Sequence, residues 1–248
     1  MKFKSCSLVL MMVLTHVLSL AQETISFQAS DGISITADLY FVHQEAVPFI
    51  LLFHQANCSR GEYLEIAPKL NAMGYNCMAV DLRSGGTING IPNKTKLAAT
   101  NAMKSTNYVD ALLDIEAAIA YAKENIGDEK LVIWGSSYSA ALALKVAGDD
   151  ATKVDAVVAF SPGEYFSALG RSSQWITASA EMLTVPVFIT SARNEKQNWW
   201  SIYEAIPSES KYFFLPTTSG NHGSRALWES FTDSKSYWEE VRKFLSTL

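Results

Sequence analysis

Cysteine and histidine are scarce in this chain, which has three cysteines and four histidines among 248 residues. So few cysteines exclude a disulfide-built scaffold. No group of histidine, cysteine and acidic residues has the spacing of metal ligands, and no glycine-rich phosphate loop follows the first buried strand. The sequence therefore predicts neither a metal nor another cofactor. A chain of this length is long enough for a hydrophobic core to stabilise its fold without disulfides.

Positive charge is also in short supply. Lysine and arginine total 20 against 25 acidic residues, which gives a formal net charge of −5. Proteins that bind nucleic acid need clustered lysine and arginine to neutralise phosphates, and the chain contains no such stripe. Nucleic acid is therefore excluded as the expected partner.

A long apolar run occurs only at the N-terminus. Residues 8–20 are mostly apolar, Lys2 and Lys4 precede them, and small residues lead up to Ala21. This is the pattern of a secretory signal peptide, and the run is shorter than the roughly 20 apolar residues that a membrane span needs. We expect cleavage after Ala21, a single domain over 22–248, a secreted or periplasmic location and no stable membrane insertion afterwards.

The rest of the chain alternates between strand and helix patterns. Two alternating segments, 25–29 and 33–41, flank a turn and predict an antiparallel hairpin, and the apolar run 49–53 predicts a strand buried on both faces. Such alternation predicts a mostly parallel sheet with helices on both faces. Further strands are expected at 76–82, 131–134, 154–160, 185–190 and 211–215, helices at 63–73, 109–126, 140–147 and 225–244, and loops at 84–106 and 161–184.

A candidate nucleophile lies between a strand and a helix, where residues 135–139 read GSSYS. The apolar strand stops at Trp134, so Gly135 falls at the turn and Ser137 at its apex. A serine on such a sharp turn is held exposed, and the amide of Tyr138 points toward an oxygen that becomes negative during attack. A frame shifted by two residues, with Ser139 as the nucleophile, remains open.

Serine needs a general base, and His222 is the best candidate. Glycines flank it closely in the loop that follows the last predicted strand. His54 ends the buried strand 49–53 and is expected to play a structural part. The loop after His54 offers a second oxyanion donor, either the amide of Gln55 or that of Ala56.

These motifs together resemble the α/β-hydrolase superfamily, and particularly its dienelactone-hydrolase-like branch. The resemblance rests on the Gly-x-Ser-x-small turn at 135–139, the histidine-led loop at 54–56 and the late His222, and it covers nearly all of the mature chain. It implies an α/β-hydrolase fold, with a mostly parallel central sheet, antiparallel N-terminal strands and helices on both faces. It also implies acyl chemistry at Ser137.

The acidic member of the triad departs from the family pattern. Members of the superfamily usually place an aspartate in the loop after the strand that precedes the histidine, and Asn194 stands there in this chain. Glu195, one residue further on, is the preferred candidate. Glu164 is an alternative, because some members take their acid from the strand before, and Asn194 itself is the third.

Three residues are weaker candidates for substrate binding. Tyr63 and Trp175 could form part of an acyl pocket, and Arg83, which follows a strand, could bind a substrate carboxylate. Buried aromatic residues more often belong to a core. A structural pairing of Arg83 with Asp81 is the competing interpretation.

The sequence thus predicts a secreted serine hydrolase that cleaves the carboxylic ester of a small acyl substrate through an acyl-enzyme on Ser137. The same residues could cleave a peptide or a thioester. The unusual acid leaves a further alternative, a catalytically impaired protein that binds ligands on a hydrolase scaffold.

The signal-peptide prediction can be checked directly. N-terminal sequencing of the exported protein is expected to begin at Gln22, because signal peptidases cut after small residues such as those ending at Ala21. A mature protein that begins at another residue would contradict the predicted boundary.

Overall fold

The computed structural model describes residues 22–127 and 130–248, so the predicted signal peptide lies outside the described residues. In this part of the chain, eight strands form one sheet in the order β1-β2-β4-β3-β7-β8-β9-β10, and β5 and β6 form a separate hairpin. The strands are β1 (Gln22–Gln28), β2 (Ser34–Tyr40), β3 (Phe49–Phe53), β4 (Asn76–Val80), β5 (Thr87–Ile88), β6 (Ile91–Pro92), β7 (Leu131–Ser136), β8 (Ala156–Phe160), β9 (Val187–Thr190) and β10 (Lys211–Phe214).

The sheet is mixed but mostly parallel. β1 pairs with β2 and β2 with β4 in antiparallel register, and the remaining pairs are parallel. The predicted α/β-hydrolase fold, with antiparallel N-terminal strands, is therefore confirmed. The helices are α1 (Ile66–Ala72), α2 (Lys94–Asn101), α3 (Leu112–Asn125), α4 (Tyr138–Asp149), α5 (Trp175–Ala180), α6 (Lys196–Ala205) and α7 (Ser234–Leu245).

The pleat of the central strands divides the core into two layers. In β3, Phe49, Leu51 and Phe53 pack on one face of the sheet, and Ile50 and Leu52 pack on the other. The first layer contains buried residues of α2 to α6, and the second contains those of α1 and α7. Both faces of the sheet are therefore covered, which explains why its strands are continuous apolar runs.

The strand order reverses between β3 and β7. The chain passes from β3 to β4 on one side and returns to β7 on the other. Ligands bind α/β sheets in the crevice outside the carboxyl ends of the strands at such a switch point. The loop after β3 and the turn after β7 therefore flank the expected site.

Three expectations about local structure were wrong. The predicted terminal helix 225–244 is a 3₁₀ turn at Ser224–Leu227 followed separately by α7. The segment 84–106 contains a hairpin and α2, whose start is capped when the Asn93 side chain accepts a hydrogen bond from the amide of Lys96 at 2.7 Å. The segment 161–184 contains α5. These short helices pack too few large apolar residues to show a clear period.

A buried ion cluster ties the N-terminal hairpin to helix α3. The Arg83 guanidinium is 2 % exposed and lies 2.7 Å from carboxylate oxygens of both Asp31 and Asp114. The alternative pairing of Arg83 with Asp81 is wrong, since Asp81 pairs with Arg60 at 2.8 Å. Arg83 therefore connects three segments that are distant in sequence.

We expect Arg83→Ala to destabilise the fold by about 3 kcal/mol, because removing one partner of a buried pair leaves the other charge uncompensated. Urea unfolding followed by circular dichroism measures the change. Lys153→Ala, which removes an exposed partner of Glu116, is the control and should leave the unfolding midpoint unchanged. Equal stability of the Arg83 variant and the wild type would contradict the assigned role.

Candidate active site

The turn between β7 and α4 is strained at Ser137. This residue has φ 60° and ψ −120°, a conformation that is unusual for any residue other than glycine. Gly135 permits the turn, since a Cβ there would lie 2.4 Å from the backbone of Ala140. Ser137 is 9 % exposed, and α4 begins at Tyr138. Strain of this kind is typical of a serine nucleophile held at the tip of a strand-to-helix turn.

The alternative nucleophile, Ser139, has a different environment. Its side chain is fully buried, and its hydroxyl lies 2.8 Å from the carbonyl oxygen of Phe53 and 2.9 Å from that of Ser136. The amide of Ser136 also donates to it at 2.8 Å. Ser139 therefore closes the turn onto β3, and the geometry favours Ser137 as the reactive serine.

His222 and Glu195 meet beside this turn. Nδ1 of His222 lies 2.6 Å from Oε1 of Glu195, and the other carboxylate oxygen accepts a hydrogen bond from the Ser161 hydroxyl at 2.7 Å. The Ser161 oxygen in turn accepts from the amide of Gly223 at 2.9 Å. Ser161 thus holds both the carboxylate and the backbone of the histidine loop.

The environment of Glu195 keeps its carboxylate ionised. Burial alone would raise the pKa of this group, but hydrogen bonds from His222 and Ser161 outweigh the burial and bring the pKa below its ordinary value. An ionised carboxylate on Nδ1 fixes the tautomer of the imidazole and leaves Nε2 free to accept a proton.

The other two candidate acids lie elsewhere. The Glu164 carboxylate accepts hydrogen bonds from the amides of Ile176 and Thr177, at 3.0 Å and 2.8 Å, and so caps the start of α5. Asn194 is exposed, and no hydrogen bond joins it to His222 among the described residues. The structure therefore brings Glu195 alone of the three to the imidazole.

The Ser137 side chain lies beside Tyr165. It lies close enough to the Tyr165 hydroxyl to lower the pKa of that phenol, although burial raises that pKa overall. Tyr165 donates to the carbonyl of Ser161 at 2.7 Å. Across 22–127 and 130–248, no hydrogen bond links Ser137 to His222, so attack requires the two side chains to approach each other. Nucleophile and base often lie further apart in unliganded enzymes.

The hydrogen-bond partners of the candidate oxyanion donors distinguish between them. The Gln55 amide already donates to Oε2 of Glu62 at 2.8 Å, so it is not available to a substrate. The Gln55 carbonyl accepts from Nδ1 of His54 at 2.8 Å, and the peptide is trans. The amide of Ala56 therefore points away from the buried His54. Tyr138 opens α4, where the first amides have no acceptor within the helix.

His54 is a neutral structural residue. The Leu82 amide donates to its Nε2 at 2.9 Å, so the proton lies on Nδ1, which bonds the Gln55 carbonyl. Burial lowers the pKa of this imidazole. The ring therefore joins the end of β4 to the loop after β3.

Among the described residues, no hydrogen bond joins the three candidate substrate-binding residues to Ser137. Tyr63 is fully buried in the layer of α1 and α7, and its hydroxyl donates to the carbonyl of Phe53 at 2.6 Å. Arg83 is occupied by its two aspartates. Trp175 packs edge-to-face on Phe166, and Lys145 lies 4.6 Å from the centre of its ring. Each of these side chains therefore has a structural partner that sequence spacing could not reveal.

Sequence analysis missed three polar residues around the site, Glu62, Ser161 and Tyr165. Glu62 lies just before the predicted helix 63–73 with no motif around it, and Ser161 and Tyr165 lie in the aperiodic stretch after β8. A signal for Ser161 exists, because it follows a strand predicted to end beside the nucleophile. Glu62 gave no such signal.

The described residues contain no group of three or more histidine, cysteine or acidic side chains placed to hold a metal ion. Among the helices of the same part of the chain, none has the length and apolar character that crossing a membrane would require.

Comparison with known proteins identifies relatives in sequence. Residues 44–169 match the hydrolase family described as serine aminopeptidase, S33 (Hydrolase_4). The chain is 28 % identical over 158 residues to the thiohydrolase apmlB of Arthrinium phaeospermum, and 30 % identical over 137 residues to the quorum-quenching protein AidA of Acinetobacter baumannii. These alignments cover 62 % and 54 % of this chain, and 48 % and 41 % of the relatives. The chain thus matches about half the length of these curated relatives.

Solved structures share the fold over nearly the whole chain. The esterase Pf2001 of Pyrococcus furiosus and a dienelactone hydrolase of Anabaena variabilis each give a TM-score of 0.71, with 17 % and 13 % identity. They cover 92 % of this chain, and 93 % and 97 % of their own chains. Est1E of Butyrivibrio proteoclasticus, with ferulic acid bound, gives 0.69 at 13 % identity, over 90 % of this chain and 98 % of its own.

We expect Glu195→Ala to slow the reaction of Ser137 with a fluorophosphonate probe by on the order of 10²- to 10⁴-fold, because the imidazole loses the carboxylate that orients it. Labelling rates on folded protein measure the effect. Asn194→Ala is the matched neighbour and should react like the wild type, and Glu164→Ala should change stability rather than rate. A Glu195 variant that labels at the wild-type rate would contradict the assignment.

Proposed function

Since the chain belongs to the serine aminopeptidase S33 family of α/β-hydrolases, we propose that it is a serine hydrolase that cleaves small carboxylic esters through an acyl-enzyme on Ser137. The observation that carries this proposal is the contact of His222 with Glu195, beside a serine held at positive φ. A half-buried carboxylate on Nδ1 of a half-buried imidazole supports a general base.

In this mechanism, the Ser137 hydroxyl approaches Nε2 of His222, which takes its proton as the oxygen attacks the ester carbonyl. Glu195 stabilises the imidazolium that forms without taking the proton itself. The imidazolium then donates that proton to the departing alcohol. Water, deprotonated by the same imidazole, attacks the acyl-enzyme. The imidazolium returns that proton to the Ser137 oxygen as it leaves, which releases the acid and restores the free enzyme.

The tetrahedral oxyanion is held by two backbone amides, those of Tyr138 and Ala56. The Tyr138 amide opens α4, so the positive end of the helix dipole adds to its hydrogen bond. The Ala56 amide replaces that of Gln55 as the second donor, because the Gln55 amide is bonded to Glu62. Loss of one such donor typically costs 10²- to 10³-fold in turnover.

The comparisons support a small acyl substrate. The solved structures with this fold include esterases, one of them holding ferulic acid, and one sequence relative is a thiohydrolase. An oxyester is the first candidate, and a thioester is the second, because both pass through the same acyl-enzyme.

A secreted or periplasmic location belongs to the same proposal, and it rests on the pattern of residues 1–21. The two cysteines in the described residues, Cys58 and Cys77, are both buried and free. Their burial raises the pKa of both thiols, that of Cys58 to about 12. They are therefore inert thiols that would persist in an oxidising compartment without reacting.

A fluorophosphonate probe is expected to label Ser137, because the His222–Glu195 pair activates this hydroxyl and no other serine on the turn is accessible. Mass spectrometry of the labelled peptide identifies the residue. Ser137→Ala should remove the label, and Ser139→Ala provides the control for the alternative frame. Failure of the folded wild-type protein to label would favour the alternative, a ligand-binding protein on a hydrolase scaffold.

The substrate is tested with nitrophenyl esters of graded acyl length, a lactone, a thioester and an aminoacyl amide. Turnover of the short esters with no turnover of the amide is the expected result. Cleavage of the amide in preference to every ester would replace the esterase proposal with a peptidase.

A further inference from the structure

Glu62 is a fully buried acidic residue directly behind the site. Its carboxylate accepts three hydrogen bonds, from the Gln55 amide at 2.8 Å, the Gln55 side chain at 3.3 Å and the Ser136 hydroxyl at 2.7 Å. No lysine, arginine or histidine of the described residues lies within ion-pair distance of it. A buried carboxylate without a cation is costly to keep, so its position calls for an explanation.

The partners of Glu62 belong to the segments that carry the reaction. Gln55 precedes the proposed oxyanion donor Ala56, and Ser136 precedes the nucleophile Ser137. The Ser136 oxygen also accepts the amide of Ser224 at 2.8 Å, two residues after His222. One carboxylate therefore joins the oxyanion loop, the nucleophile turn and, through one hydroxyl, the histidine loop.

The packing at this junction is tight around Gly223. Gly223 has φ +73°, and a Cβ there would lie 2.6 Å from the Ser136 hydroxyl and 3.1 Å from the Gln55 side-chain oxygen. The histidine loop thus packs directly against Ser136 and the Gln55 side chain, which belong to the two residues that Glu62 binds. A shift of the Glu62 carboxylate would move the oxyanion loop and the histidine loop together.

The surroundings of Glu62 shift the pKa of its carboxyl group. Burial raises its pKa to about 7, and the Gln55 amide, the Ser136 hydroxyl and the nearby Arg225 and His222 side chains oppose that rise. The other titratable groups that sense it are Cys58, Tyr63 and Tyr138, whose raised pKa values keep them neutral. Because the pKa is raised, the folded state is favoured below the ordinary pKa of glutamate and loses that stability as the pH rises through about 7.

We propose that Glu62 is a positioning residue, whose carboxylate holds the oxyanion loop at Gln55 and the nucleophile turn at Ser136 in the register that the reaction needs. The inference rests on the proposed function, since it assigns a role within that reaction. Two of the three groups that bind Glu62 are fixed donors, an amide N–H and an NH₂, and only a carboxylate accepts from all three at once. The buried charge of Glu62 therefore lowers the stability of the fold, while the hydrogen bonds that it accepts fix the two loops.

Glu62→Gln is the informative variant, because it keeps the size of the side chain but turns one acceptor into a donor. We expect kcat for the nitrophenyl ester to fall on the order of 10- to 100-fold, as a displacement near 1 Å does, with KM changed less than about threefold. The fluorophosphonate labelling rate should fall by the same factor as kcat. Glu65→Gln, an exposed glutamate three residues further on, is the matched control and should behave as the wild type.

Stability separates positioning from a merely structural role. Glu62→Gln should unfold at a urea concentration no lower than the wild type at pH 8, and the fall in wild-type stability between pH 6 and pH 8 should disappear. A structural role predicts the reverse, a less stable variant with wild-type kcat in the protein that remains folded. That result would overturn the proposal.

Coupling between Glu62 and Ser136 provides a second test. Ser136→Ala removes the hydroxyl that receives Ser224, so its effect on kcat should be much less than additive with that of Glu62→Gln. Independent effects that simply multiply would show that the two groups do not act as one unit, and would contradict the proposed connection.

Hydrogen exchange makes the inference independent of any activity. In Glu62→Ala, the amides of 54–59 and 222–224 should exchange faster than in Glu65→Ala, while those of the central strands remain protected. If the wild type neither turns over an ester nor labels, the proposed function fails and the exchange rates still decide whether Glu62 holds the loops. Unchanged exchange in both segments would refute it.

Discussion

The hydroxyl of Ser136 is the single interaction on which the arrangement of the site depends. It donates to Glu62 and accepts from the amide of Ser224, groups that are 74 and 88 residues away in sequence. A hydroxyl can donate one hydrogen bond and accept others, so it can join an acceptor and a donor that would not otherwise meet. The nucleophile turn and the histidine loop are joined by this atom, and the oxyanion loop is joined to it through the Glu62 carboxylate.

The parallel sheet makes such a junction possible. β3, β7, β8, β9 and β10 are consecutive neighbours and end at the same edge, so the loops that follow them converge there. Ser161, after β8, bonds both Glu195 after β9 and Gly223 after β10. Positive φ occurs at both Ser137 and Ser161, which shows that the backbone is strained where two adjacent strands turn toward the site. Strain at these positions is sustained by the buried sheet beneath them.

Features with a local signature could be predicted from the sequence, and features created by packing could not. The apolar run of β3 and the glycine-led turn at Ser137 can be recognised in the sequence, because each depends on a few adjacent residues. The partners of Tyr63 and Arg83 could not be predicted, because the face on which a side chain lies depends on residues far away in sequence. Glu62 was missed for the same reason, since its importance comes from Ser136 and Gln55. The preferred acid, Glu195, lies against His222, although the family pattern would have favoured position 194.

Glu195 and Glu62 lie at one site, but their different environments give these two identical side chains different pKa values. Glu195 is half-buried and receives hydrogen bonds from His222 and Ser161, so its pKa falls and it remains an anion beside the imidazole. Glu62 is fully buried and has only neutral donors in contact, so its pKa rises to about 7. Divergent pKa values in neighbouring acids mark separate roles. A carboxylate that faces a developing imidazolium must be ionised, so it needs a low pKa. An acid that only fixes the backbone can have a pKa near 7. The assignment of Glu195 to His222 and of Glu62 to the loops rests on their hydrogen bonds, and that difference agrees with it.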